Sequence, residues 1–293
     1  HDREGQPYLR EGSTRPWLND DLQSFTPLRF MPPELMNYQG RAVVVDPDVF
    51  AVGDVWELLS RDMDGKAILC RARSGTKARE GCLASSVMLL DCAKLRHWDA
   101  EQGFREMFEF KRDYQPWICL KLEDRESIGF FEPEWNDFDR LTRQTKMLHN
   151  TRRRTQPWKT GLPTDWRPAE RFRLFPPVAW AMRARRKLFG EYAFLGNYKA
   201  HPDPNQERFF FGLLKECLDT GVISEEMLRQ EMSKNHVRHD ALELAERTPP
   251  LAAPMIAAIA ECSLSTHIKR ALRVPLAQCS DRSSTIWVCG VMG

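Results

Sequence analysis

The sequence predicts an α/β fold, on three observations. The β-branched run Val43-Val44-Val45 is unbroken by polar residues and stops at Asp46-Pro47-Asp48. Further apolar runs over 66–72 and 85–92 repeat the strand pattern, and amphipathic segments lie between and after them. Strands alternating with helical stretches indicate α/β architecture. A strand without polar alternation suits a central position covered on both faces, as in parallel sheets.

Taken in order, residues 1–24 are polar and rich in Gly, Pro and charge, with Trp17 as the only large anchor, and read as loop. Apolar residues at 25, 28, 31 and 35, broken by prolines, predict a short interrupted helix leading into the strand at 42–45. Pro47 cannot donate to a ladder, so the chain leaves the sheet there. Asp46 and Asp48 then sit at the carboxyl edge, where open α/β sheets bind ligands. Their spacing places both on one side of the strand. Two such carboxylates repel unless a cation lies between them, and a hard divalent cation carrying a phosphate fits that need. The same D-x-D pattern recurs at Asp62-Met63-Asp64 in a polar segment and at Asp137-Phe138-Asp139 in a stretch read as helical; neither follows an apolar strand. Gly53 and Asp54 form a turn and cap ahead of a helix carrying Val55, Leu58 and Leu59, and 95–110 reads as an amphipathic helix.

With 293 residues, 42% hydrophobic and 29% charged, the chain has the composition of an ordinary globular protein. Its net charge of +2 gives no global drive toward nucleic acid or membrane. Eight cysteines, at 70, 82, 92, 119, 217, 262, 279 and 289, form no C-x-x-C and no zinc spacing, and predict reduced, buried thiols in a cytoplasmic protein. No apolar run approaches a membrane span and no signal peptide opens the chain; the start at His1 reads as a missing amino terminus. Further on, 171–177 is a proline-punctuated linker and 180–188 a basic helix whose contact with a membrane is at most peripheral. Segments 204–220 and 224–246 read as two amphipathic helices, with Ser224 as a cap. The expected organisation is a domain over 1–170, a helical appendage over 171–248 and a tail over 249–293.

The order of segments resembles the family-eight glycosyltransferases. Phe25 to Glu34, then Val43-Val-Val-Asp-Pro-Asp-Val-Phe50 and Gly53-Asp-Val-Trp-Glu-Leu58, are similar to that family's leading helix, D-x-D strand and following helix. Ala84-Ser-Ser-Val-Met-Leu-Leu-Asp91 with Lys94-Leu-Arg-His-Trp98, then Pro133-Glu-Trp-Asn136, and finally Leu148-His-Asn-Thr-Arg-Arg-Arg-Thr-Gln-Pro-Trp-Lys159, are similar to later motifs in the same order. The resemblance covers roughly 24–166. It implies a GT-A fold, a Rossmann-like mixed sheet with helices on both faces, here with a carboxyl-terminal helical appendage. It also implies transfer of a sugar, with retention, from a nucleotide-diphosphate donor such as a UDP-sugar to a carbohydrate-type acceptor. Asp46, Asp48 and His149 would hold Mn²⁺ (or Mg²⁺), an O,O,N set that suits manganese better than calcium. Arg152, Arg153, Arg154 and Lys159 would meet the diphosphate, Trp158 would wall the sugar pocket, and Ser85 and Ser86 would face the donor. Asp113 and Gln115 stand where the family has the acidic segment near the reacting carbon. Ala84, Ser86 and Gln156 replace the family's asparagine, glycine and lysine, and the usual nucleotide-binding strands ahead of the D-x-D are absent from the 45 residues that precede it.

The rival reading is a non-catalytic relic acting as a basic binding module through Arg152–Arg154 and 183–187. The Arg run also fits a solvated face, and Trp135 and Trp158 each fit a plain core role. Ser85 and Ser86 can be purely structural, as their strand fills a core in any case.

Overall fold

The computed structural model describes residues 2–19, 21, 23–75, 81–166, 176–190, 192, 194–249 and 284–288, the last as backbone only. The chain divides into two units, 1–151 with 253–293, and 152–252. Most of the expected linker at 171–177 and of the tail from 249 lies outside the described residues.

The first unit is mixed α/β, as expected. It opens with a hairpin, β1 (Pro7–Arg10) and β2 (Ser13–Pro16), turning at Glu11 and Gly12, both at positive φ. This corrects the reading of 1–24 as loop. Tyr8 and Trp17 are buried and pack edge to face at 5.4 Å, which anchors the ribbon in the core. A 3-10 turn over Thr26–Phe30 and a single helical turn, α1 (Pro32–Leu35), follow, separated by prolines as the sequence implied. Their inward residues differ from those expected. Leu28 and Leu35 are exposed, whereas Arg29 and Phe30 are buried, Phe30 stacking on Trp117 at 4.6 Å.

The main sheet has the order β10-β3-β6-β5-β7, formed by β3 (Arg41–Val45), β5 (Ile68–Arg71), β6 (Ala84–Asp91), β7 (Ile128–Phe131) and β10 (Ser284–Val288). It is mixed: β3 runs parallel to β10 and antiparallel to β6. Ala42 and Val44 enter one core cluster, Val43 and Val45 the other. That double covering is why the run lacks polar alternation. A second sheet, β4-β9-β8, is built from β4 (Val49–Ala51), β8 (Asp137–Phe138) and β9 (Met147–His149). Asp137-Phe138 is thus strand rather than helix, and Asp137 accepts from Thr145 Oγ1 at 2.9 Å.

Short helices close the unit. Asp54 caps α2 (Val55–Leu59), Asp99 caps α3 (Ala100–Phe108) and Asp113 caps α4 (Tyr114–Ile118), each accepting from a backbone N–H of the first turn. Cys82 and Cys119 form a disulfide, which corrects the expectation of reduced thiols for that pair. Cys70, Cys92 and Cys217 are free, and burial pushes Cys70 and Cys92 up to about 12. β6 also carries an irregularity: Cys70 pairs with Met88 but Arg71 with Ala84, so Ser85, Ser86 and Val87 form a bulge opposite β5.

The second unit carries the helices α5 (Pro176–Phe189), α6 (Pro204–Asp219), α7 (Glu225–Ser233) and α8 (Ala241–Arg247) among its described residues. Phe211, Leu214, Leu228, Ala241 and Ala245 form its core. The segment read as one helix over 224–246 is two, because the chain turns at Asn235, which takes positive φ. Among the described residues no helix is long and apolar enough to cross a membrane.

Candidate metal centre

Asp46 leaves the end of β3 with its N–H donating to Ser86 O at 3.0 Å. Pro47 turns the chain, and the Asp48 carbonyl accepts from Asn150 N at 3.0 Å, which brings Asp48 against β9. The pairing of β4 with β9 sets Val49 opposite His149. One ligand atom from each of Asp46, Asp48 and His149 then lies within 4.8 Å of the others. Asp46 and His149 are buried and Asp48 is partly exposed, so one side of the group is open to solvent.

Burial pushes the Asp46 carboxyl up from the ordinary carboxylate range, and the Arg29 guanidinium and His149 oppose that push. Arg29 grips Asp46 with a fork: Nε donates to Oδ1 at 2.8 Å and Nη2 to Oδ2. Its remaining arm donates to Ser85 Oγ at 2.7 Å. A carboxylate has about four lone-pair positions, so two remain on Asp46 for a cation. Asp48 Oδ1 is buried and has no hydrogen-bond partner, while His149 Nε2 lies 3.3 Å from it. An orphaned carboxylate oxygen beside an imidazole nitrogen and a second carboxylate is an O,O,N set of the kind that takes Mn²⁺ or Mg²⁺. The residues fit a divalent cation.

Ser85 and Ser86 support this group from behind. Ser85 Oγ donates to Ile118 O at 2.5 Å as well as accepting from Arg29, and Ser86 Oγ accepts from Asn136 Nδ2 at 2.9 Å. Asp113 is engaged by three backbone N–H groups, those of Glu11, Gly12 and Gln115, and latches the hairpin tip to α4. Gln115 Nε2 donates to Cys119 Sγ at 3.2 Å. In the second unit Lys159 is buried, its Nζ donating to Asp165 Oδ2 at 2.5 Å and to Asn235 O at 2.9 Å. Trp158 packs against Phe210 at 5.2 Å, Arg153 lies 5.8 Å from the centre of the Trp166 ring, and Arg154 donates to Leu195 O. Arg152 opens the short turn over 153–155.

Four residues near the cluster were not singled out as site residues in the sequence, although Arg29 and Asn136 lie within the motif segments. Arg29 sits among apolar neighbours in Leu28-Arg29-Phe30, and a charge inside an apolar run is a usable signal. Asn136 closes the Pro133–Asn136 turn and is fully buried. Arg71 and Arg73 place their guanidinium carbons 4.1 and 5.6 Å from the centre of the Phe138 ring, which itself meets the His149 ring edge to face at 5.4 Å. Burial lowers the Arg73 guanidinium, and the neighbouring Arg29 and Arg71 add to that.

No protein-family model matches the chain, and no curated protein matches its sequence. A solved structure of similar arrangement is the galactosyltransferase LgtC in complex with donor and acceptor sugar analogues, with 13% identity and a TM-score of 0.36. The alignment covers 45% of this chain and 60% of that one.

Proposed function

We propose that the chain is a metal-dependent glycosyltransferase that moves a sugar from a nucleotide-diphosphate donor, a UDP-sugar in the simplest case, to a glycan, lipid or protein acceptor, with retention at the anomeric carbon. The observation that carries the reading is the meeting of Asp46, Asp48 and His149, the histidine 103 and 101 positions after the two acids, around an orphaned carboxylate oxygen. The ordered motifs over 24–166 supply the reaction class.

In this reading Asp46, Asp48 and His149 hold Mn²⁺ or Mg²⁺, which when bound supplies Lewis-acid neutralisation of the diphosphate leaving group. Arg29 keeps Asp46 fixed and opposes the upward push of burial on its carboxyl, so the ligand set is organised in advance. Arg71 and Arg73 form no ion pair among the described residues and add positive charge on the His149 side. Arg152, Arg153, Arg154, Trp158 and Lys159 are proposed to contact the donor, Ser85 and Ser86 to shape its cradle, and Asp113 and Gln115 to lie toward the acceptor.

Thermal unfolding with UDP, with Mn²⁺ and with both tests the proposal, because a ligand that binds only the folded state raises the midpoint by mass action. The expected result is a shift that needs both ligands and is lost in Asp46→Ala/Asp48→Ala. A shift with UDP that is indifferent to metal and intact in the double variant refutes it.

A further inference from the structure

The ring of His149 is held from the side away from Asp48. Its Nδ1 lies 2.8 Å from Asn136 Oδ1, and its Nε2 faces Asp48 Oδ1 at 3.3 Å. Asn136 is fully buried, and its amide nitrogen is committed to Ser86 Oγ at 2.9 Å. With the amide nitrogen spent there, the atom facing His149 is the amide oxygen, which carries no proton and can only accept. The hydrogen bond therefore requires the proton on Nδ1 of the imidazole. The turn that presents Asn136 is itself pinned: Trp135 is buried, and the Asn136 carbonyl accepts from the Arg71 guanidinium.

We infer that Asn136 is a positioning residue that fixes His149 as the Nδ1–H tautomer and leaves Nε2 bare on the side of Asp48, so that the ring is a ready metal ligand before any cation arrives. The inference rests on the proposed metal centre and adds to it a residue outside the ligand set. Nε2 then faces the buried, unpartnered Asp48 Oδ1 at 3.3 Å without a proton between them. Ser86 ties the arrangement together. Its carbonyl accepts from Asp46 N and its hydroxyl from Asn136, so one residue of β6 sets both a carboxylate ligand and the histidine that meets it. Such outer partners of a ligating histidine fix tautomer and orientation, and losing them costs about 10–100-fold in metal affinity.

The first measurement is a long-range ¹H–¹⁵N correlation of the metal-free wild-type protein at pH 8. A protonated Nδ1 with a bare Nε2 on His149 is expected; the opposite tautomer, or a ring protonated at both nitrogens, overturns the inference. The second is Mn²⁺ affinity, read from free Mn²⁺ by electron paramagnetic resonance, in wild type, Asn136→Leu and Asn136→Asp. Leucine removes the acceptor and should weaken Mn²⁺ binding about 10–100-fold, whereas aspartate keeps an acceptor and should restore affinity to within a few-fold. Variants that lower the melting temperature alike and leave Mn²⁺ affinity unchanged would show a purely structural asparagine. If wild type binds no Mn²⁺, the metal-centre reading fails on that result alone, and the tautomer is still decided by the first spectrum.

Discussion

The Arg29–Asp46 fork should govern the stability of the first unit. Both side chains are nearly dry, at 11% and 6% exposure, and the guanidinium makes three charge-assisted bonds, two to Asp46 and one to Ser85. Arg29→Met fills most of the same volume and leaves the Asp46 carboxylate buried without its partner. Breaking a buried pair in this way costs about 3–5 kcal/mol. At about 2–4 °C per kcal/mol for a unit of this size, the melting temperature should fall by about 6–20 °C. Removing both partners should do less harm, since a hydrophobic pair of similar volume is often neutral. Urea unfolding of wild type, Arg29→Met and Arg29→Met/Asp46→Leu, all without metal, measures this directly. The expected order is wild type near the double variant and both well above the single. A loss below about 1 kcal/mol in Arg29→Met, the range of exposed pairs, would refute the claim that the fork is a buried organising contact.

Two further outcomes follow from other contacts. The Cys82–Cys119 bridge closes a loop with a sequence separation of 37, so Cys82→Ser/Cys119→Ser should cost roughly 4 kcal/mol by the chain-entropy relation, read from urea midpoints of the oxidised wild type and the variant. In the second unit Arg238 hydrogen-bonds Asp240 and holds its carboxyl below the usual range. A depressed carboxylate stabilises the fold above its unfolded pKa and loses that contribution as pH falls through the folded one. Asp240→Asn should therefore be less stable than wild type at pH 7 and equal to it once the pH is below the folded pKa; a difference that persists unchanged at that acid pH sinks the assignment.

The strand at 41–45 was legible because burial on both faces leaves a plain apolar signature, and the two acids after it because proline marks where the ladder ends. The contact of His149 with Asp48 was legible only from the order of motifs, since 101 residues separate the two and nothing local in Leu148-His149-Asn150 marks a ligand. The hairpin over 7–16 escaped because Pro7, Gly12 and Pro16 mimic loop composition, and its two aromatic anchors, Tyr8 and Trp17, are nine residues apart. Helical periodicity over 25–35 pointed to Leu28, whereas the turn is 3-10 and presents Arg29 and Phe30 inward instead. The disulfide is a meeting of two loop ends that the fold creates and no spacing encodes. Ser85 and Ser86 were visible as polar residues opening an apolar strand, but their partners Arg29 and Asn136 lie 56 and 50 positions away.

The bulge in β6 carries a consequence for how this fold tolerates change. Opposite Cys70 and Arg71 the strand has a surplus of residues, and Ser85 and Ser86 fall within it. Consecutive residues of a regular strand serve one face each in strict turn, and their aim is dictated by the core pairs on either side. Surplus residues escape that dictation. Ser85 reaches Arg29 and Ile118, Ser86 reaches Asn136, and the pairs Val43–Leu89 and Ala42–Leu90 keep their register beyond them. The sheet therefore separates two duties along a single strand: Val87 to Leu90 hold the frame against β3, while Ser85 and Ser86 form an adjustable stretch that sets the aim of the polar residues without reopening the core. An insertion or deletion there would retune the cluster and spare the sheet, whereas the same edit two residues later would shift every core side chain to the wrong face.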